Sequence, residues 1–527
     1  MTRARVRRSR IASIALLLLV ALGARPSAQT PDLVDAAYQQ FYAGDVDGAE
    51  QQFARLVARA PRDLAARFGG LIVFKHQTDA DPSLQAKFKG AIDAFLADAE
   101  HRYSRTRTDD EALLYLASGY LLRAQYRLGL DEGVLGAARD GARMKRYAEA
   151  YIERWPDRAD AYLPLGIYNY YVDLAPSVVK AIRVLLFLPG GDRAQGLKQI
   201  ELAHRSGKRF GLLAGLALTD IYATFEPRPD DAVAVAERLA AQYPASSMVQ
   251  LAFADIYLRP AIEEYAAAAT RFEAVIARED RHGDERIGKY RARLGLANAR
   301  VQQWRMDEAI AAITQIIDAN PRRFWREVPR ALLARAMVRA LLDDGRAVED
   351  VRRVRATGAW KEFHKDADRR LSWIETRRRS GVARVYAALI PGNRLAAAGR
   401  WDEASAAYQL VDQRYPNDAQ VRFRIGHLTF LQGLTDRARH ELMTVADNRS
   451  APPWLRAEAL LYAARAADVG GRRDEAKDLY RRILDEFAKE DIVPAARAGL
   501  SAPYRRRQPV RPRSQLGAAP NSARPMS

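Results

Sequence analysis

Three groups of residues in this 527-residue chain have types and spacings that chemistry uses. The first is "PGGDRAQG", residues 189–196, in which two glycines, an acid and a base precede a helical pattern. Glycines that bare their backbone N–H groups at a helix start, with an arginine beside them, are the ingredients of a phosphate cradle. The P-loop spacing, however, requires Lys after its second glycine, and here Gly196 is followed by Leu197. The second is "SVVK", residues 177–180, which has the Ser-x-x-Lys spacing of an acyl-transfer serine. Its companion Ser-Asp-Asn and Lys-Thr-Gly elements are absent. The third is the set of seven histidines (76, 101, 204, 282, 364, 427 and 440), which never stand at metal-ligand spacing. Carboxylates are plentiful, but no pair stands apart as acid and base. The expectation is a protein without catalytic residues, metal or cofactor.

The elements that must carry these residues emerge when the chain is aligned with itself. "YAGDVDGAEQQFARLVARAP" (42–61), "QQWRMDEAIAAITQIIDANP" (302–321) and "AAGRWDEASAAYQLVDQRYP" (397–416) share one frame. A turn leads to an acid and a small alanine, then an apolar residue four positions on, then a proline eight after that. The anchors are Ala49, Phe53 and Pro61; Ala309, Ile313 and Pro321; and Ala404, Tyr408 and Pro416. Ala232, Ala236 and Pro244 repeat the frame, as do Ala476 and Tyr480.

A small residue lets a second helix approach a first, a residue four later lies on the same face, and proline ends the unit. Gly166 and Gly426 mark the preceding helices. No alternating strand pattern competes. The pattern resembles the tetratricopeptide repeat, a helix–turn–helix of about 34 residues. That predicts an all-α solenoid, a right-handed superhelix of stacked hairpins. Within it Pro189, Gly190 and Gly191 read as a corner, with a positive φ expected at one of the glycines, and Asp192 reads as a helix cap.

Charge and composition delimit the rest. Residues 1–28 hold six arginines and no acid, with the 12-residue apolar run Ile11–Leu22 after the first five. This reads as a cleaved signal peptide, with an uncleaved N-terminal anchor as the alternative. Residues 504–527 hold six further arginines and no acid, and read as a disordered basic tail. Removing the six charges at each end from the formal +19 leaves +7 for residues 29–503. In that body acids and bases interleave along helices, which argues against nucleic acid as a partner. With no cysteine anywhere, disulfides and thiolate metal sites are excluded. The expected organisation is a signal peptide (1–28), an N-terminal superhelix (29–321), an irregular helical connector (322–380), a C-terminal repeat block (381–503) and the tail (504–527).

A sharper likeness covers residues 160–275, where Gly166, Asn169, Pro176, Gly191, Asp192, Gly196, Leu197, Tyr243 and Pro244 occur in order. This block resembles the tetratricopeptide-39/Iml-type outer-membrane family. The resemblance implies an adaptor in membrane-associated or lipid processes, without catalytic residues; the signal peptide departs from that family.

The function expected is an exported scaffold, periplasmic or secreted, that binds a protein or peptide on its concave face. Candidate contacts are the aromatics of the first helices of hairpins: Tyr38, Phe41, Tyr42, Tyr170 and Tyr171. Asn298 and Asn393 stand where some repeat proteins hold a peptide carboxylate. A second reading puts "SVVKAIRVLLFL" (177–188) on a membrane surface.

Overall fold

The computed structural model of the chain describes residues 30–129, 134–174, 189–226, 228–259, 262–281, 287–379, 381–490 and 492–505. The expected signal peptide, the "SVVK" segment and the tail beyond Arg505 lie outside the described residues. Among the described residues there are 24 α-helices and no strand.

The described residues open with α1 (Thr30–Tyr42), α2 (Val46–Arg59) and α3 (Leu64–Ala80). Three long helices follow: α4 (Gln85–Arg105), α5 (Asp110–Gly129) and α6 (Val134–Arg154). Next come α7 (Tyr162–Leu174), α8 (Arg193–Ser206), α9 (Gly211–Thr224), α10 (Pro229–Gln242) and α11 (Ser247–Ile256). Then follow α12 (Tyr265–Asp280), α13 (Ile287–Gln302), α14 (Met306–Ala319), α15 (Glu327–Leu341), α16 (Arg346–Ala356) and α17 (His364–Arg379). The last seven are α18 (Val382–Ala397), α19 (Trp401–Arg414), α20 (Ala419–Leu431), α21 (Thr435–Asp447), α22 (Pro453–Val469), α23 (Arg473–Glu486) and α24 (Val493–Ser501). Each packs chiefly on its chain neighbours, as in a solenoid.

The repeat anchors show why. Ala49, Ala232, Ala309, Ala404 and Ala476 are all fully buried, so a methyl is the largest group their helix crossings admit. The apolar residue four later is a ring in three units, and it slides over a glycine of an adjacent helix. A methyl added to Gly69 would stand 2.2 Å from the Phe53 ring, one on Gly392 2.5 Å from Tyr408, and one on Gly499 2.3 Å from Tyr480. Pro61, Pro244, Pro321 and Pro416 each stand two residues past a helix end, where a missing N–H costs nothing.

Segment 322–380, expected to be irregular, contributes the stacked pair α15 and α16, a 3-10 stretch kinked at Trp360, and then α17. Ala312, three residues after the anchor Ala309, is not on an open face but buried at 7% exposure. The reason is that α14 has neighbours on two sides, α13 and α15. Ala311 is the exposed position. Ala309→Trp is therefore expected to lose at least about 1–3 kcal/mol by overpacking, and Ala311→Trp almost nothing. Equal thermal melting of the two variants would show the frame to be misassigned.

Candidate functional site

The glycine corner is built for structure. The Asp192 side chain caps α8 by accepting from Gln195 N at 2.9 Å. Arg193 is consumed: its Nε donates to Glu226 at 2.8 Å and its Nη2 to the Phe225 carbonyl at 2.7 Å. Glu226 also accepts from Tyr170 at 2.8 Å. The carbonyls of Pro189 and Gly190 accept from Tyr168 and Lys145, so the corner presents acceptors where a phosphate would need donors. The expected positive φ is not found, since neither Gly190 nor Gly191 has one. Glycine is needed at 191 because a Cβ there would lie 2.4 Å from the Asn169 carbonyl oxygen. Asp192→Ala is expected to cost about 0.5–2 kcal/mol in thermal melts, and Asp192→Asn very little.

Most of the aromatic contact candidates are core. Tyr38, Tyr42 and Tyr170 are 1%, 1% and 0% exposed, which corrects their assignment to an open concave face. Tyr170 packs on Gly196 of α8 and against Phe225, whereas the cause for Tyr38 and Tyr42 is the closure of the superhelix on its own beginning. The Tyr42 hydroxyl donates to the Arg209 carbonyl at 2.7 Å, and Arg209 Nε donates to Asp35 at 2.6 Å. The Tyr38 ring meets Phe53 and Phe210 edge-on. Tyr171 is exposed at 37%, and Asn298 is exposed on α13. Asn393 is corrected as well: it is 3% exposed and its Oδ1 accepts from Tyr408 at 2.6 Å, which ties two helices of one hairpin.

The C-terminal repeats turn their inner helices toward their own chain. Arg465 of α22, only 4% exposed in its side chain, donates to Glu263 at 3.1 Å. Arg424 of α20 lies 4.6 Å from the Trp304 ring, which in turn packs on Tyr386 of α18. Trp304 has φ 62°, a left-handed conformation costly for a bulky residue. Gly399 and Gly471 hold positive φ in the α18–α19 and α22–α23 turns, as Trp304 does in the α13–α14 turn. The strain at 304 is offset by its ring and cation contacts.

The same closure opens a cleft of about 980 Å3 between the α1–α2 turn, α3, α11 and the start of α13. Gly44, with φ 97°, turns that hairpin so tightly against the α10–α11 loop that a Cβ would lie 3.0 Å from the Ala245 carbonyl oxygen. Tyr243 donates to Gln39 at 3.2 Å across the joint. The apolar lining comes from Phe41, Met248, Leu251 and Phe324. Around it stand Asp45, Asp47, Glu50, Asp81, Asp255 and Glu279, against Arg278, Arg291 and Arg323. Glu279 is buried and receives the Ser247 hydroxyl, while Arg278 ties Ser247 to the Pro244 carbonyl. Of the seven contact candidates, only Phe41 lines this cleft. Met248, Leu251, Ala252 and Asp255 were missed, although their three-and-four spacing is visible in "SMVQLAFADI". α11 is apolar on two faces, one in the core (Val249, Phe253, Ile256) and one in the cleft.

Asp255 is reached by water through the cleft but walled by protein, and burial pushes its carboxyl up to about 6, against a smaller opposing pull from Arg259 and Arg291. A carboxyl raised in the fold above its ordinary value favours the folded state while protonated. That contribution is lost as pH rises through about 6. In a chain shortened to residue 505, the melting temperatures with and without Asp255→Asn are expected to converge at about pH 4, and the Asn variant to melt higher at about pH 7. Parallel curves across that range would refute this account of Asp255.

Among the described residues no group of three or more His, Asp or Glu is placed to hold a metal ion, and no helix is long and apolar enough to cross a membrane.

Residues 458–489, which span most of α22 and all of α23, match the tetratricopeptide repeat family. The chain thus carries a tetratricopeptide repeat within an all-helical array of hairpins. No curated protein matches the chain. Among solved structures, the crystal structure of the APC/C hetero-tetramer Cut9–Hcn1 aligns over 90% of this chain and 91% of that one. It does so at 13% identity and a TM-score of 0.25, too loose to bear on shape or role.

Proposed function

We propose that the protein is a scaffold that holds a segment of a partner protein in the cleft between the α1–α2 turn and α11. The observation that carries this reading is the second apolar face of α11, with Met248 and Leu251 only partly covered in the floor of a 980 Å3 cleft. An apolar helix face left partly uncovered is a standing cost unless something is bound there. The helical-repeat architecture supports it, since such arrays present extended surfaces to protein partners. Export rests on residues 1–28 alone, and the kinship with the outer-membrane-type family rests on the residues quoted for it. Both belong to this proposal, and fractionation with N-terminal sequencing of the mature chain tests the first. A membrane-surface role for residues 177–188 is tested by flotation of the mature protein with liposomes.

The cleft itself is tested by photo-cross-linking in the cells that make the protein. A benzophenone amino acid in place of Leu251 is expected to capture a discrete partner, and the same group in place of the exposed Leu410 is expected to capture none. Identical products at the two positions overturn the assignment.

A further inference from the structure

The cleft's charge runs against that of the chain around it. Residues 29–503 carry +7, yet here six carboxylates face three guanidiniums. Arg278 pairs with Glu279 at 3.5 Å and Arg291 acts on Asp255, but the carboxylates on the α1–α2 side are neutralised less. Glu50 accepts from the uncharged Gln77 amide, and Asp45 from Gly48 N and the Gln40 amide. Among the described residues Asp47 has one ion pair, with Arg323, 3.9 Å away. Among the described residues nothing donates a hydrogen bond to the Asp255 carboxylate. A cleft with an apolar floor and an acidic rim suits an extended cationic segment with a few apolar side chains.

The chain ends in such a segment. Residues 504–527 combine six arginines and no acid with Val510, Leu516 and several prolines. Where this segment leaves the body is equally telling. The Tyr504 ring lies 4.6 Å from the guanidinium of Arg465, which donates to Glu263 at 3.1 Å. The loop that bears Glu263 folds back so that Glu264 N donates to the Tyr257 carbonyl at 2.9 Å, two residues from Asp255. The 22 residues after Arg505, at about 3.3 Å each when extended, reach far beyond that short relay of contacts.

We propose that the chain's own arginine-rich C-terminal segment, residues 506–527, lies in the cleft with its guanidiniums on Asp255, Asp47 and Glu50, and that a partner must displace it. This rests on the reading of the cleft as the binding site.

The test uses the full chain and a fluorescein-labelled peptide of residues 504–527. Anisotropy is read at about 0.05 M salt, where charge interactions reach beyond about 10 Å. In one chain Arg505, Arg506, Arg507, Arg511, Arg513 and Arg524 are all replaced by Gln, which empties the cleft. The peptide is expected to bind this chain at least about tenfold more tightly than the wild type, whose cleft is already filled. Adding Asp255→Asn and Glu50→Gln is expected to remove at least about tenfold of that affinity. Equal affinity for the two chains, or full affinity after the cleft substitutions, overturns the proposal. A second measurement is independent of the peptide. With no native cysteine, Ser514→Cys and Asp47→Cys can be joined by a short bis-maleimide. That pair is expected to cross-link at least about tenfold faster than Ser514→Cys with Leu410→Cys, and equal rates overturn the proposal too. If Leu251 captures a partner while the tail fails both tests, the scaffold reading stands and self-occupancy falls.

Discussion

Asp350→Ala is expected to destabilise its part of the solenoid by about 3–5 kcal/mol, because it leaves the inward Arg335 guanidinium without its counter-charge and Arg339 with Asp344 at 4.0 Å. Asp350 of α16 is 1% exposed and takes both nitrogens of a fork from Arg335, at 3.0 and 2.8 Å. Arg339, one turn along α15, donates to the same carboxylate at 2.7 Å. Thr314 of α14 accepts from Arg335 Nη1 at 3.0 Å, so the network locks three successive helices. Its desolvation is heavy, and only the complete set of partners offsets it. For that reason Arg335→Met with Asp350→Leu is expected to recover part of the loss that Asp350→Ala alone produces. A repeat array need not unfold as one unit. The appropriate measurement is hydrogen exchange of α15 and α16 across a urea series. A loss below about 1 kcal/mol would show that water reaches the site and that the pair acts as a surface one.

Gly196→Ala is the second large effect, and a single methyl causes it. α7 and α8 cross with their backbones in contact: a Cβ on Gly196 would lie 2.5 Å from Tyr170 N and 2.8 Å from the Gly166 carbonyl oxygen. One on Gly166 would meet the Gly196 carbonyl oxygen at 2.8 Å and Ile200 N at 2.9 Å. Backbone cannot swing aside as a side-chain tip can, so the helices must separate. Separation exposes Ile200 and strains the Asn169–Gln199 hydrogen bond of 2.9 Å. The expected cost is at the upper end of the roughly 1–3 kcal/mol typical of overpacking, or beyond it. Gly90, on the exposed side of α4 with nothing within 4 Å, supplies the opposite sign. Gly90→Ala is expected to stabilise by about 0.5–1 kcal/mol through helix propensity. If both substitutions shift the melting temperature in the same direction, the close crossing is wrong.

Much of the fold was legible because its information is local. The Ala–aromatic–Pro frame requires only that residues four apart share a helix face and that proline stop the helix. Ala49 with Phe53 and Ala404 with Tyr408 accordingly take the same core places. The Asp192 cap was legible for the same reason, since it depends on a residue three positions away. Reading the glycines of the corner as φ specialists failed because the demand at Gly191 comes from Asn169, across a helix–helix contact.

The sequence by itself determined the helical class, the hairpin frame, the ends of the repeat helices and the unequal distribution of charge between body and tail. Only the tertiary structure decided which apolar stripes are covered. Each hairpin adds a small rotation, and the accumulated rotation returns Tyr42 to Arg209, 167 positions on, and Gly44 to Ala245. That return buries Tyr38 and Tyr42, which periodicity alone placed on a surface. It leaves Met248 and Leu251, apolar by the same periodicity, lining the cleft. A period of 3.6 residues says which side chains share a face; what covers that face depends on the superhelical turn summed over many repeats.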